Sequence, residues 1–393
     1  MSKKVGIVSC YFKHNYGSML QAYATQQILD NFGIENETIN VDENIDFANG
    51  KKKYYISQMT NFTFIKSKLG MIKLKIDKKI NKQLGKNISI RDAKYNEFER
   101  NFKLTKPFKT YKELNEQCVS YSNVVVGSDQ LWLPVNVVAD YYTLNWVPDS
   151  VNKISLATSF GVSRIPDKYK KAYSDFLNRI DNLSVRENAG VKLVKELSGK
   201  DAKLVCDPTL LLNKEEWMQI QQEDRIIKDK YILCYFLGKN IEHRKFAERL
   251  REKTGYKIVS LNHADEYVKY SDIFADETPY DVGPAEWINL IRNAEYVCTD
   301  SFHGTVFSLI NNTEFFTFER YSNKNSKVST NSRIYSLLEI VDLKNRILSG
   351  KENVDDVLKY SIDFEAVNRK LYEFRNESKF FLKNALKGNY KED

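Results

Sequence analysis

At 393 residues, with 42% hydrophobic and 28% charged side chains, the chain is long enough for two cores and has the make-up of a folded protein. A formal charge of +8 is too weak to argue for nucleic acid, and no recognition motif accompanies the lysines. No stretch reaches the roughly 18 apolar residues of a membrane span, and the opening "MSKKVGIVSCYF" turns polar too quickly for a signal peptide, so a cytoplasmic protein is expected.

"KVGIVSCYF" reads as a buried strand, "SMLQAYATQQILDNFG" as a helix and "IENETINV" as a second strand, a βαβ opening. In open parallel sheets ligands collect beyond the carboxyl ends of the strands, which makes the residues after each strand the site candidates. After the first strand these are Asn15, Tyr16 and Gly17, before a helix expected to start near Ser18 with free backbone N–H groups. A plain capped turn accounts for them equally well. From Lys51 to Lys86 the rhythm breaks, with eleven lysines against the single acid Asp77 among Ile, Leu, Met, Tyr and Phe. That mixture suits peripheral contact with an anionic membrane, and it suits a solvated helical hairpin as well.

"NVVVGSDQLW", "KISLATSFG" and "NLSVREN" resume the strand pattern, and their ends supply Asp129 and Gln130, Ser159, and Arg186. Asp129 either accepts a proton from a hydroxyl or caps a helix. Arg186 either forks onto a carboxylate or phosphate or makes a structural ion pair. "AKLVCDPTLLLNKEEW" reads as the connector to a second sheet, with the boundary near Asn213. "KYILCYFL", "GYKIVSL" and "AEYVCTDSFHGTVFSLI" then supply strands; in the last, Asp300 or Ser301 caps a helix and leaves His303 on its first turn, where an anion is favoured.

The chain thus divides into 1–212, which includes the insertion 51–86, then 213–350, and a helical tail over 351–393. In that tail Val357, Leu358, Phe364, Val367, Leu371, Phe374 and Phe381 recur at roughly 3.6-residue spacing. The five cysteines, Cys10, Cys118, Cys206, Cys234 and Cys298, are odd in number and widely spaced, as expected of buried reduced thiols. With no calcium loop and no paired-histidine motif, no metal is expected. Aromatic residues at 13% suit a protein that handles sugars, and a tyrosine-rich core explains them as well.

Seven pieces in order, "NYGSMLQAYAT", "VVGSDQLW", "SLATSFG", "LSVREN", "VCDPTLLL", "TDSFHGTVFSL" and "NSRIYSLL", resemble the polysaccharide pyruvyl transferase family over about Lys4 to Leu348. The resemblance implies an α/β fold of two Rossmann-like domains facing across a cleft, like the glycosyltransferase-B (GT-B) architecture; the length of the C-terminal helix lets it pack back on the first domain. The resemblance also implies transfer of the enolpyruvyl group of phosphoenolpyruvate onto a saccharide, polymeric or lipid-linked, as a pyruvate ketal. Phosphoenolpyruvate is then a donor substrate, and no cofactor is expected.

Carried onto this chain, the resemblance assigns Arg186 and His303 to the phosphoenolpyruvate site, with His303 as proton donor, Asp129 as base, and Ser301 and Gly304 at the anion-binding helix start. Where the family carries Arg-Leu-His-Gly, this chain has Ser301, Phe302, His303 and Gly304. Arg320 and Arg333 are the candidates to replace the missing arginine, with Arg333 preferred. The "DP" connector and the "TDS" turn also resemble those of UDP-N-acetylglucosamine 2-epimerases. Two other readings stay open on sequence: a nucleotide-sugar glycosyltransferase, and a catalytically silent glycan-binding protein of the same fold.

Overall fold

The computed structural model describes residues 4–41, 47–57, 81–262, 268, 270–320 and 331–387. Apolar, β-branched runs such as "VVV" in Tyr121–Gly127 are buried on both faces, which is what a helix-covered parallel strand requires. Strand β1 (Lys4–Val8), the short polar edge strand β2 (Asn36–Thr38), β3 (Tyr121–Gly127) and β4 (Asn152–Leu156) form a parallel sheet of order β2-β1-β3-β4. The pair β5 (Ser184–Val185) and β6 (Lys203–Leu204) continues beside β4 through a bridge from Ile154 to Asn182.

A second parallel sheet, of order β11-β10-β9-β7-β8, collects β7 (Tyr231–Tyr235), β8 (Lys257–Ser260), β9 (Tyr296–Thr299), β10 (Phe315–Phe318) and β11 (Ile347–Leu348). These are the two Rossmann-like domains, and a cleft opens between their strand ends.

The helix Tyr16–Asn31 joins them. Asn15, not Ser18, caps it: the Ser18 N–H donates to the Asn15 side chain at 3.2 Å, so the helix begins two residues before the expected start. Buried residues occupy all its sides, as expected of a helix placed inside a protein and not upon it. Tyr16 stacks on Tyr95 at 5.1 Å and on Trp287 of the second domain at 5.3 Å, and its hydroxyl donates to the Val282 carbonyl at 3.0 Å. One apolar cluster runs from Val5 in the first sheet through Tyr16 to Trp287 and Phe315 in the second.

The apolar residues from Phe364 on form one helix as the spacing predicts, whereas Val357 and Leu358 precede it and pack on the core of the second domain. Helix Phe364–Leu386 lies against β4 and the connector, with the Cys206 N–H donating to Ser378 Oγ at 2.9 Å and Arg375 Nε to the Leu210 carbonyl at 2.6 Å. It also touches helix Phe302–Asn311, and so reaches both domains. All five cysteines are buried and unbridged.

Most of the basic insertion, residues 58–80, lies outside the described residues. Its described ends pack on protein: Phe47–Ser57 on helix Pro134–Ala139, and Lys82–Glu99 on the second domain through Lys94 and Glu286 at 2.7 Å. Among the described residues no helix is long and apolar enough to cross a membrane.

Because Tyr16 is 2% exposed and holds both domains, Tyr16→Ala is expected to cost about 3–5 kcal/mol, read as a lower urea midpoint for the whole chain. A midpoint unchanged from wild type would show that the stack contributes nothing to domain closure.

Candidate active site

His303 is placed by the end of β9. The Ser301 N–H donates to Thr299 Oγ1 at 3.0 Å, and Ser301 Oγ accepts the Gly304 N–H at 3.3 Å, which caps helix Phe302–Asn311 and turns His303 toward the other domain. Gly304 has no room for a side chain: a Cβ there would lie 2.5 Å from Thr299 Oγ1. The His303 ring presses on Gly17, where a Cβ would come within 2.0 Å of Nδ1. That contact is a physical reason for glycine in "NYG". His303 is 7% exposed, its Nε2 makes no hydrogen bond to the protein, and it lies 3.7 Å from Asp207 Oδ2.

Beside the histidine sits an ion cluster in which Arg186 and Asp207 are fully buried and Asp129 reaches the cleft. Arg186 donates to Asp207 Oδ2 at 2.5 Å and to Asp129 Oδ1 at 3.2 Å, and it lies 4.8 Å from the centre of the Phe302 ring. Asp207 also accepts from Ser128 Oγ at 3.0 Å and from the Thr209 hydroxyl at 2.7 Å. Burial by itself would raise both carboxyls. Arg186 and Lys13 reverse this for Asp129, and the neighbouring His303 ring together with the Arg186 charge does so for Asp207, so each is held well below the usual carboxylate range. Glu187 behaves oppositely, pushed up by burial, and accepts from Ser159 Oγ at 2.9 Å and the Phe160 N–H at 3.0 Å.

A cleft of about 470 Å³ opens over this cluster. Among the residues singled out from sequence, Asn15, Asp129, Gln130, Ser301, His303, Arg320 and Arg333 line it. Arg320 Nη2 donates to the Asp300 carbonyl at 3.3 Å, while the Asp300 carboxylate accepts the Leu237 and Gly238 N–H groups at 2.6 and 2.8 Å. Arg333 lies over Phe302 at 5.6 Å; burial, and then the Arg186 charge, press its guanidinium below its ordinary value. Both arginines therefore reach the cleft next to the turn where Ser301 replaces the family arginine.

The other candidates lie elsewhere. Tyr16 belongs to the interdomain stack, Gly17 and Gly304 permit close packing, and the Ser159 hydroxyl is spent on Glu187. Arg186 has no exposed side-chain surface, and its fork is occupied by two carboxylates, which places it behind the cleft and not on its wall. Asp129 lines the cleft, but its carboxylate accepts from Arg186 and from the Ser18 hydroxyl, and a carboxylate held low by such partners takes up a proton poorly at neutral pH.

Sequence reasoning missed Asp207, Lys13, His14, Ser18 and Phe302. Asp207 lies three residues beyond the end of β6, and the strand-end rule used for the other candidates would have flagged it had "DP" not been read only as a connector. Ser18 is bound to the cluster through its hydroxyl, which donates to Asp129 Oδ2 at 2.6 Å. Among the described residues no group of three His, Cys, Asp or Glu side chains is arranged to hold a metal ion.

Removing one partner of a buried ion cluster strands the rest, so Arg186→Met is expected to lose about 3–5 kcal/mol at pH 7. Asp129 and Asp207 titrate lower in the folded chain than in the unfolded one, so the stability they contribute is present above about pH 4 and lost as pH falls. In the variant burial acts without the cation, and the fall in stability between pH 5 and pH 3.5 should flatten. Urea unfolding at three pH values reads both effects, and an acid profile parallel to wild type would contradict the cluster.

The fold and sequence can now be set beside known proteins. The chain resembles the solved UDP-N-acetylglucosamine 2-epimerase of Rickettsia bellii at TM-score 0.50 and 10% identity, over 98% of each chain. The UDP-GlcNAc 2-epimerase of Methanocaldococcus jannaschii gives TM-score 0.50 and 11% identity, over 95% of this chain and 93% of that one. At such identities the likeness is one of fold, the two-domain GT-B architecture. No curated protein matches the sequence. The family model described as polysaccharide pyruvyl transferase matches residues 15–323, a span that holds Asn15, the Arg186 cluster, His303 and Arg320. That span is well over half of the chain, and this protein belongs to the polysaccharide pyruvyl transferase family.

Proposed function

We propose that the protein moves the enolpyruvyl group of phosphoenolpyruvate onto a saccharide and closes it as a pyruvate ketal, releasing phosphate. The observation that carries this reading is His303, a buried imidazole whose Nε2 makes no hydrogen bond to the protein, in a cleft it shares with Lys13, Arg320 and Arg333. A small trianionic substrate matches that set. The guanidiniums clamp carboxylate and phosphate beside a buried ion cluster, where fixed charges act more strongly than in water.

His303 then delivers a proton to the methylene carbon, which leaves a cationic centre at C2 for a sugar hydroxyl to attack. Asp207, 3.7 Å from Nε2, and Gly17, against Nδ1, keep the imidazole in place. Arg186 acts one layer below, holding Asp207 and Asp129, and through Phe302 it supports the floor on which Arg333 rests. The donor needs no further cofactor in this scheme.

Phosphoenolpyruvate is expected to raise the melting temperature of the protein, and UDP is expected to leave it unchanged. His303→Gln should lower phosphate release from phosphoenolpyruvate by about 10²–10⁴-fold while keeping the phosphoenolpyruvate-induced melting shift. Turnover near wild type would remove His303 from the chemistry, and a shift with UDP alone would point to a nucleotide-sugar donor.

A further inference from the structure

Ketal formation also requires a group that takes protons from the acceptor hydroxyls. Asp129 is held too far down for that, and His303 is assigned to the donor. The cleft contains a second imidazole. His14 lies on the loop between β1 and the helix Tyr16–Asn31, lines the same cleft as His303, and is about one third exposed. Its ring is gripped by the helix Lys82–Glu99: Nδ1 is 2.9 Å from Asp92 Oδ1, Nε2 is 3.2 Å from Asn96 Oδ1, and the face stacks on Tyr95 at 5.0 Å and 9°.

A carboxylate on one ring nitrogen fixes the tautomer. With Nδ1–H held by Asp92, the proton that comes and goes is the one on Nε2, whose longer contact to Asn96 is at the exposed side. The groups facing the ring are Asp92, Tyr95, Asn96 and Glu99 of that one helix, with Lys13 beside it in the chain. The hydrogen bond to Asp92, the largest influence, raises the imidazole above its ordinary 6.5.

We infer that the His14–Asp92 pair is the acceptor-side base of the cleft, taking the proton of the attacking saccharide hydroxyl through His14 Nε2. The inference rests on the pyruvyl-transfer reading above. In the step, the hydroxyl oxygen forms its bond to C2 as its proton passes to His14, and the methylene carbon receives a proton from His303. Phosphate departs with the electron pair of its bond to C2, and the second hydroxyl of the same sugar closes the ketal. Of the two hydroxyl protons, one is balanced by the proton gained at the methyl carbon and the other leaves with phosphate. Two histidines on opposite domains thus divide donor and acceptor work, and the helix that follows the basic insertion belongs to the acceptor side.

The test compares wild type, His14→Gln and Asp92→Asn by acceptor-dependent phosphate release across pH 5.5 to 9, with phosphoenolpyruvate-induced melting shifts measured alongside. Acceptors come from a panel of galactose-, mannose- and N-acetylhexosamine-containing glycans, scored by mass for the ketal. A base must be unprotonated, so wild-type kcat/KM for the acceptor should rise with pH through a value above 6.5. His14→Gln should lose that rise and about 10²–10⁴-fold in rate while its melting shift with phosphoenolpyruvate is kept.

Asp92→Asn should move the rise to lower pH, an effect that mere loss of packing does not produce, and it serves as the second variant should His14→Gln fold poorly. An unchanged pH profile in both variants overturns the inference, as does loss of the phosphoenolpyruvate shift in His14→Gln, which would place His14 in the donor site. If wild type itself neither shifts with phosphoenolpyruvate nor releases phosphate, the pyruvyl-transfer reading has failed, and this inference fails with it.

Discussion

Burying a guanidinium is costly unless its fork is filled, and much of the site follows from how this chain fills the fork of Arg186. Asp207 comes from the connector between the domains and Asp129 from the turn after β3, so one side chain ties two distant segments into a single cluster. Asp129 then receives the Ser18 hydroxyl and so positions the start of the interdomain helix, one residue from the Gly17 surface against which His303 rests. Phe302, over the same guanidinium, opens the helix that carries His303. The histidine is therefore oriented from both domains by groups that reach back to one buried charge.

Domain closure depends on a different force. The stack of His14, Tyr95, Tyr16 and Trp287 is continuous with an apolar cluster that runs through both sheets, and a large hydrophobic interface limits the relative motion that linked domains otherwise show. The C-terminal helix adds a strap across the connector and reaches helix Phe302–Asn311. In this arrangement the cleft walls belong to different domains, while the floor is shared core. Charge is distributed accordingly: Arg320 and Arg333 stand on the second domain, and Lys13 and His14 face them from the first.

Much of the architecture was legible in the chain. Runs such as "VVVG" and "YVCT" carry both the β-branched or aromatic content of a buried strand and the turn chemistry that ends it, so strand ends, and with them Asp129 and His303, fell within reach of a local reading, while Arg320 and Arg333 came only with the family resemblance. Spacing also placed the tail helix. What a local reading missed has a common physical cause. Asp207 sits in a connector whose carboxylate matters only because Arg186, 21 residues away, is buried beside it. His14 gains its meaning from Asp92, 78 residues on, across an insertion that breaks the strand-helix rhythm.

The sequence by itself determined the two parallel sheets, the place of the cleft and the histidine at its helix start, because periodicity, caps and turn residues act within a few positions of one another. Whether an ionisable group at a strand end meets a ligand or another side chain is a matter of burial and of partners brought from afar. Arg186 looked like a ligand fork and proved to be the buried tie between Asp129 and Asp207; Arg320 and Arg333, expected to stand in for the missing family arginine, both line the cleft. Only the packing of one domain on the other decided those roles, since desolvation and charge pairing are properties of the assembled site.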